Sequence, residues 1–319
     1  MTHTANFFRL RGPFGMEHNT SHVPTTVIAV GNQKGGVAKT TNAVHMAAAL
    51  GELGRRCLII DLDTNQGATR TLGITSEAFL GSYEMLIGEE QAEDVIVTND
   101  DEGVELPQNV DLISARRNLE NVDKALLQTN KFVITQDVLI EPLRSLEGKY
   151  DYIFLDTAPN ANTPTIAAYK AAKWFILSAF PDPLAISGLT DALGDIHAAQ
   201  RHGNPELRIL GVVLSGIDGR KTRLATSLIS YVEEKFSVAG GPSAKFRTTV
   251  SRSTVVPEAQ KLGKTVFQTD PTHKVAQQYR ELAREIEERT GRLPATKPAE
   301  APQEVTGQNG ELAEAVVNG

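Results

Sequence analysis

The chain has 319 residues, of which 40% are hydrophobic and 22% charged, and its formal net charge is −7. This composition is typical of a soluble globular protein, and the length suffices for one large domain. No apolar run approaches the roughly 20 residues that a membrane-spanning helix needs. A single cysteine, Cys57, excludes an intramolecular disulfide and a cysteine-ligated cluster within one subunit. We therefore expect a cytoplasmic protein.

The two ends of the chain differ in composition from its centre. Residues 1–23 show no hydrophobic period and contain glycine and proline breaks, so we expect a flexible leader, with Met16 as an alternative start. Residues 294–319 are rich in alanine, proline, glutamate and glycine, which predicts a disordered acidic tail. Between them, residues 24–293 are predicted to form one domain, with 81–109 as an excursion over its surface.

Apolar runs and helical patterns alternate along this domain. The predicted strands are 26–30, 58–62, 110–114, 152–155, 174–179 and 209–215. The predicted helices are 40–53, 118–128, 133–147, 163–172, 186–201, 223–236 and 274–289. Because most strands are continuous apolar runs, they are expected to be parallel and buried on both faces. The pattern predicts a doubly wound, mostly parallel α/β sheet with ligand sites at the carboxyl ends of its strands.

A glycine-rich segment follows the first strand and precedes the first helix. Its candidate phosphate-binding residues are Lys34, Gly35, Gly36, Val37, Ala38, Lys39, Thr40 and Thr41. Glycines allow backbone N–H groups to approach an anion, and a helix N-terminus favours negative charge. Lys39 is expected to neutralise phosphate charge and Thr40 to ligate Mg²⁺. A strand, a glycine-rich turn and a helix in this order favour this interpretation over a simple helix cap.

Lys34 is unusual because it adds a second lysine inside the loop. It either neutralises more phosphate charge or reaches a second nucleotide. The arrangement Lys34-Gly35-Gly36-Val37-Ala38-Lys39-Thr40 resembles the deviant Walker A motif, KGGxxK[ST], of the ParA/MinD family of P-loop ATPases. In that family the early lysine crosses a dimer interface to the partner's ATP, so the resemblance implies an ATP-dependent homodimer. Ala38 stands where a strict Walker A motif has glycine.

Two aspartates end the second strand. Alternation places Asp61 and Asp63 on the same side, so both are expected to face the nucleotide. A carboxylate at this position can hold a Mg²⁺-bound water or orient the attacking water in phosphoryl transfer. The alternative is that the aspartate at the end of the strand only caps the following turn. The segment resembles the family's DLDPQGNAT motif, in which the second aspartate supports hydrolysis, although Thr64-Asn65-Gln66-Gly67 replaces Pro-Gln-Gly-Asn. The resemblance assigns catalysis to Lys34, Lys39 and Asp63.

A further aspartate, Asp156, closes the apolar run Tyr152-Ile153-Phe154-Leu155. An acid at the end of a strand, after a phosphate loop, is the Walker B arrangement and binds Mg²⁺ directly or through water. It is similar to the family's DTPPS segment. The candidate metal ligands are Thr40, Asp61, Asp63 and Asp156.

Basic residues are concentrated in one part of the acidic chain. Between residues 201 and 264 there are eleven lysines and arginines against five acids, which indicates a DNA-binding surface or a solvated mixed one. The segment from Phe246 resembles the family's F-x-T-x-I-P-R-N-V-R-L-x-E-A-P-x-x-G-K-P, although Val255 replaces its second arginine. The candidate DNA-binding residues are Arg220, Lys221, Arg223, Arg247, Arg252, Lys261 and Lys264.

The resemblance implies a slow ATPase that partitions plasmids, chromosomes or another cargo carried on the nucleoid. It implies an ATP·Mg²⁺-dependent sandwich dimer, nonspecific binding to double-stranded DNA, and activation by a ParB-like protein. Three alternatives are left open. A MinD-like positioning ATPase needs a C-terminal membrane helix, which the acidic tail does not supply. A metabolic P-loop enzyme needs its own substrate site, and Asp63 argues against a non-hydrolysing nucleotide sensor.

Overall fold

Seven strands form one sheet in the computed structural model of the protein, which describes residues 24–75, 78–129, 135–217, 222–236 and 243–293. The strands are β1 (Thr26–Gly31), β2 (Cys57–Leu62), β3 (Ile96–Val97), β4 (Val110–Ile113), β5 (Tyr152–Thr157), β6 (Trp174–Ala179) and β7 (Arg208–Leu214). Their spatial order is β3-β4-β2-β5-β1-β6-β7. Every neighbouring pair is parallel except β3 and β4. The predicted doubly wound, mostly parallel sheet is confirmed, whereas the predicted leader and tail lie outside the described residues.

Helices cover both faces of the sheet. They are α1 (Lys39–Glu52), α2 (Gly67–Thr71), α3 (Ser82–Ile87), α4 (Val122–Thr129), α5 (Ile140–Ser145), α6 (Thr163–Ala171), α7 (Ala185–His202), α8 (Arg223–Lys235), α9 (Val255–Lys261), α10 (Val266–Thr269) and α11 (Lys274–Thr290). One apolar layer includes residues of α3, α4, α6, α7 and α8, and the other includes residues of α1, α10 and α11. None of these described helices combines the length and the apolar character required to span a bilayer.

Strand β2 shows why the apolar runs are continuous. All six of its residues are buried. Leu58 and Ile60 belong to one apolar layer, whereas Cys57 and Ile59 belong to the other. A parallel strand covered by helices on both faces needs apolar side chains at every position rather than at alternate ones. Burial also raises the pKa of the Cys57 thiol well above its ordinary value, so this cysteine is a core residue.

Two local predictions differ from the structure. The predicted helix 133–147 is reduced to a 3₁₀ turn, Thr135–Asp137, followed by α5, and residues 133 and 134 lie outside the described part. Proline lacks an N–H and is tolerated only in the first turn of a helix, so Pro142 explains why α5 begins only at Ile140. The segment 81–109 is not a simple surface excursion, because α3 buries Met85 and Leu86 in the core.

A buried amide ties α1 to the sheet. The Asn42 side chain is fully buried, and its Nδ2 donates to Oγ of Ser178 (3.0 Å) and Oγ of Ser215 (3.1 Å). Its Oδ1 accepts from the hydroxyl of Tyr279 at 2.9 Å. These partners belong to β6, to the residue after β7, and to α11. One side chain therefore determines where α1 lies on the sheet, and it can do so because every polar atom has a partner.

We expect Asn42→Ala to lower the free energy of unfolding by about 3 kcal/mol, because it leaves buried hydroxyls without partners. Tyr279→Phe is the matched control. It removes one hydroxyl and leaves the amide its serine partners, so its expected cost is about 1 kcal/mol. Urea denaturation of both variants measures the difference. Equal losses would show that the amide does not organise this cluster.

Candidate functional site

The glycine-rich segment forms an open cleft between β1 and α1. The cleft has a volume of about 390 Å³. It is lined by Gly35, Gly36, Ala38, Lys39, Thr40, Thr41, Asp63, Asn65, Pro159 and Phe180. A Cβ atom added at Gly35 or Gly36 would meet no atom within 4 Å, so the space beside their backbone is free. This cradle, at the N-terminus of a 14-residue helix, fits an anion such as a phosphate group.

Lys39 is the buried cation of the cleft. Its side chain is only 7% exposed, and its ammonium group donates to the carbonyl oxygen of Lys34 at 3.0 Å. Burial lowers its pKa from the ordinary value, while the charges of Asp156 and Asp63 act in the opposite direction. A cation held here with two carboxylates nearby suits the oxygens of a nucleotide phosphate.

Lys34 points to another part of the same chain. Its ammonium group forms an ion pair with Asp182, and the Asp182 carboxylate also accepts the Leu184 N–H at 2.7 Å. Both charged side chains are about a quarter exposed. Lys34 is not among the residues that line the cleft. In the monomer this lysine is therefore held at the surface, beside the start of α7.

The two aspartates of the second strand have different roles in the structure. Asp63 lines the cleft, and its Oδ1 accepts the Asn65 N–H at 2.9 Å. Asp61 is fully buried; its Oδ2 accepts from the backbone and hydroxyl of Thr69 at 2.9 and 2.8 Å, and its Oδ1 accepts the Asp63 N–H. Asp63 follows the end of β2 at Leu62 and lines the cleft, whereas Asp61 lies within β2 in register with Asp156.

Asp156 is the carboxylate that lacks a partner. It ends β5 in register with Asp61 of β2, and it is fully buried. Neither of its oxygens has a hydrogen-bond partner among the described residues. Burial, and then the neighbouring Asp61, raise its pKa well above the ordinary value. An unpaired buried carboxylate is unfavourable unless a cation compensates it, so this position fits a metal ion.

The donor set suits Mg²⁺ in particular. Within the described ranges, no group of three or more histidine, cysteine or acidic side chains could hold a metal by itself. Mg²⁺ usually takes one or two carboxylates together with substrate phosphates and water, rather than an all-protein cage. Asp156 and the Thr40 hydroxyl therefore fit a magnesium site that is completed by a nucleotide.

The segment 64–67, which differs from the family motif, still forms a tight loop after Asp63. Gln66 adopts a left-handed backbone (φ 58°) at the position where the family motif has glycine. Gly67 stands at the motif's asparagine, and a Cβ there would lie 2.7 Å from Oγ1 of Thr40. The missing side chain at Gly67 lets α2 approach the residue expected to ligate Mg²⁺. The two nucleotide segments are thus in direct contact.

The candidate DNA-binding residues are not equally available. Arg220 and Lys221 lie outside the described residues. Arg247 pairs with Glu288 at 2.5 Å and Lys264 with Glu105 at 2.7 Å. Arg223 and Lys261 are exposed on α8 and α9.

Arg252 reaches the rim of the cleft, because its guanidinium lies 5.8 Å from the ring centroid of Phe180. Val255, where the family pattern has an arginine, packs against the apolar core.

Sequence reasoning missed Phe180, Asp182 and the α9 residue Gln260, whose amide Nε2 donates to Oγ1 of Thr41 at 3.2 Å. Phe180 and Asp182 follow β6 at the carboxyl edge of the sheet, where ligand sites of open α/β sheets lie, so their position was a usable signal. Gln260 carries no local signal, since its partner is 219 residues away. Together, the fold and the cleft define a P-loop nucleotide-binding protein.

Comparisons with known proteins agree. A family model described as an AAA domain matches residues 25–209. The chromosome-partitioning ATPase Soj of Thermus thermophilus is 35% identical over 259 residues, 81% of this chain and 94% of that protein. The sporulation initiation inhibitor protein Soj of Bacillus subtilis is 31% identical over 262 residues, 82% of this chain and 97% of that protein.

Among solved structures, the cobyrinic acid a,c-diamide synthase of Mycobacterium smegmatis with a bound ATP analogue and magnesium has a TM-score of 0.66 and 27% identity. The match covers 82% of this chain and 93% of that one. The chain belongs to the ParA/Soj family of partitioning ATPases.

We expect Ala38→Gly to raise the free energy of unfolding by up to about 1 kcal/mol, because Ala38 has a left-handed backbone that disfavours a Cβ atom. Its φ is 67°. The control is Ala198→Gly within α7, where the same change should lower the free energy of unfolding by about 1 kcal/mol. Chemical denaturation distinguishes them by sign. A loss at both positions would mean that the loop does not hold Ala38 in this conformation.

Proposed function

We propose that this protein is a ParA-type ATPase that forms an ATP-dependent sandwich dimer, binds DNA nonspecifically and partitions a plasmid, a chromosome or another cargo carried on the nucleoid. One observation carries the nucleotide part of the proposal. The buried Asp156 carboxylate, without a hydrogen-bond partner in the described chain, lies in the same charge cluster as Lys39 at the phosphate loop. The carboxylate suits the metal, and the loop suits the phosphates.

The roles of the loop residues follow from their positions. The backbone from Gly35 to Thr41 cradles the phosphates of ATP, and Lys39 neutralises their charge. Asp156 and Thr40 hold Mg²⁺, which supplies charge neutralisation during phosphoryl transfer. Asp63, at the cleft wall, orients the attacking water. Asp61 acts indirectly, because it anchors α2 through Thr69 and receives the Asp63 N–H.

Lys34 supports the dimer part of the proposal. In the monomer its ammonium is paired with Asp182 at a partly exposed position rather than with a phosphate of its own cleft. Exchanging Asp182 for a partner's nucleotide phosphate would replace one ion pair by another, so the lysine would keep an anionic partner in both states. Nucleotide binding and dimer formation are thereby linked. A ParB-like activator would then stimulate hydrolysis and separate the two subunits.

DNA binding follows from joining two basic surfaces. Arg223, Arg252 and Lys261 are exposed, and the dimer presents each of them twice. Two weak phosphate-binding surfaces on one particle bind more tightly than either surface alone. Such contacts go to the DNA backbone and carry no sequence information. We therefore propose nonspecific binding to double-stranded DNA, and a nucleoid-associated location in the cytoplasm.

The alternatives have less support. A MinD-like positioning ATPase shares the phosphate loop but needs a C-terminal membrane helix, which the acidic composition of residues 294–319 does not favour. A non-hydrolysing sensor would not need Asp63 at the cleft wall. A metabolic enzyme resembling the diamide synthase shares the fold at 27% identity, whereas the two Soj proteins are 31% and 35% identical.

The first test measures binding of nonspecific duplex DNA with ATP, with ADP and without nucleotide. We expect ATP to tighten binding by about tenfold or more, with a steep loss as salt increases. Lys34→Ala should abolish the effect of ATP, whereas Lys124→Ala, at an exposed position on α4, should retain it. Wild-type binding that is equal in all three states would overturn the proposed function.

The second test measures phosphate release from ATP. We expect Asp63→Asn to lower the hydrolysis rate by about a hundredfold while ATP still binds, because an amide cannot orient or deprotonate the water as a carboxylate does. Asp94→Asn, an exposed change of the same kind, should leave the rate unchanged. If the wild-type protein binds ATP but releases no phosphate, even with DNA present, the protein is a non-hydrolysing nucleotide sensor and the proposed ATPase activity is wrong.

A further inference from the structure

Helix α9 contacts the phosphate loop through one side chain. The Gln260 amide Nε2 donates to Oγ1 of Thr41 at 3.2 Å, and the pair is partly buried. Thr41 lines the nucleotide cleft and lies in the first turn of α1. Gln260 itself is not a lining residue of the cleft. Gln260 therefore contacts the site where a nucleotide would bind only through Thr41.

The chemistry of the hydroxyl makes this contact sensitive to a ligand. A threonine hydroxyl has one proton to donate and two lone pairs that accept. While it accepts from Gln260, Thr41 keeps its own proton available for a phosphate oxygen in the cleft. Hydrogen bonds in such a chain strengthen one another. A phosphate that engages Thr41 therefore strengthens the hold of Thr41 on α9.

Other contacts keep α9 and α10 close to both nucleotide segments. A Cβ atom added at Gly263 would lie 2.5 Å from Cα of Gly73, so the residue after α9 touches the chain that follows α2. The Val266 N–H donates to Nε2 of His45 at 3.3 Å, and Nδ1 of His45 lies 2.8 Å from the carbonyl oxygen of Thr41. His45 therefore carries its proton on Nδ1 and links Thr41 to α10.

The same segment carries basic side chains of the candidate DNA surface. Lys261 is the last residue of α9, and Lys264 follows three residues later. The family pattern quoted above has proline at the position of Gln260. Proline has no side-chain donor, so the contact with Thr41 belongs to this chain rather than to the pattern. The contact thus connects nucleotide occupancy with the placement of Lys261, whereas Lys264 is paired with Glu105.

We propose that Gln260 is a positioning residue that transmits nucleotide occupancy from Thr41 to α9, and so orders the exposed Lys261 for DNA phosphates. The part concerning DNA rests on the function proposed above. The transmission within one subunit does not, because it requires neither DNA nor a dimer.

Amide hydrogen exchange over residues 255–264, measured with and without saturating ADP and Mg²⁺, tests the transmission. ADP lacks the γ-phosphate that the proposed dimer needs, so the readout stays within one subunit. We expect the nucleotide to slow exchange about fivefold in wild type, because a bound phosphate would fix Thr41 and so strengthen the hydrogen bond that it already makes with Gln260. Gln260→Met, which keeps the size and removes the donor, should show less than a twofold effect.

Gln277→Met is the matched control, because Gln277 is exposed on α11, and it should behave as wild type. Full protection in Gln260→Met, or none in wild type, overturns the inference. Failure of Gln260→Met to bind ADP also overturns it, since Gln260 would then belong to the binding site itself.

A second measurement separates this inference from the proposed function. With ATP, Gln260→Met should still form a dimer in sedimentation experiments but bind duplex DNA about fivefold more weakly than Gln277→Met. Loss of the dimer would mean that Gln260 acts through dimer formation, and the inference fails. If wild type shows nucleotide-dependent exchange but no DNA binding, the transmission stands and the partitioning function fails.

Discussion

The nucleotide cleft depends on the buried amide of Asn42. Its partners, Ser178, Ser215 and Tyr279, connect α1 with β6, with the end of β7 and with α11. A buried amide without partners is costly, so α1 cannot slide or rotate on the sheet without breaking several hydrogen bonds together. Because α1 begins at Lys39, this restriction also sets the direction of its first N–H groups. The phosphate site is therefore positioned by a polar cluster inside the core.

Asp156 has two other carboxyl groups, Asp61 and Asp63, and one lysine, Lys39, in its electrostatic surroundings. Asp61 has hydrogen-bond donors from Thr69 and the backbone, and burial raises its pKa to about 6. Asp156 makes no well-formed hydrogen bond among the described residues, although the nearby Thr40 hydroxyl acts to lower its pKa, and Asp61 lies beside it in register. This arrangement is unfavourable in the unliganded protein and favourable once a divalent cation is present. Binding of Mg²⁺ with a nucleotide and stability of the fold are thus linked, because the ligand binds only the folded chain.

The strands and the phosphate loop could be predicted because their signals are local: a continuous apolar run, or glycines and lysines at fixed spacing. The sequence did not reveal contacts between residues that lie far apart in the chain. Asp61 accepts two hydrogen bonds from Thr69 of α2, a contact that strand alternation does not reveal. The partner of Lys34 lies 148 residues away and that of Gln260 lies 219 residues away, so no spacing rule reveals them. The Lys34–Asp182 pair depends on the sheet order, which places β6 beside β1, and the Gln260–Thr41 contact depends on the packing of α9 near the start of α1.

The basic segment also explains why nucleotide control of DNA binding is physically reasonable in an acidic protein. The chain has a net charge of −7, so the DNA backbone is repelled at long range, although salt screens this repulsion beyond about 8–10 Å. At short range, Arg247 and Lys264 are engaged with Glu288 and Glu105. Two of the five candidate DNA-binding residues that the structure describes are therefore already paired with acids in a single subunit. In the function that we propose, affinity comes from bringing cations together in a fixed arrangement, and a nucleotide that ordered α9 and paired two subunits would do this without changing any charge.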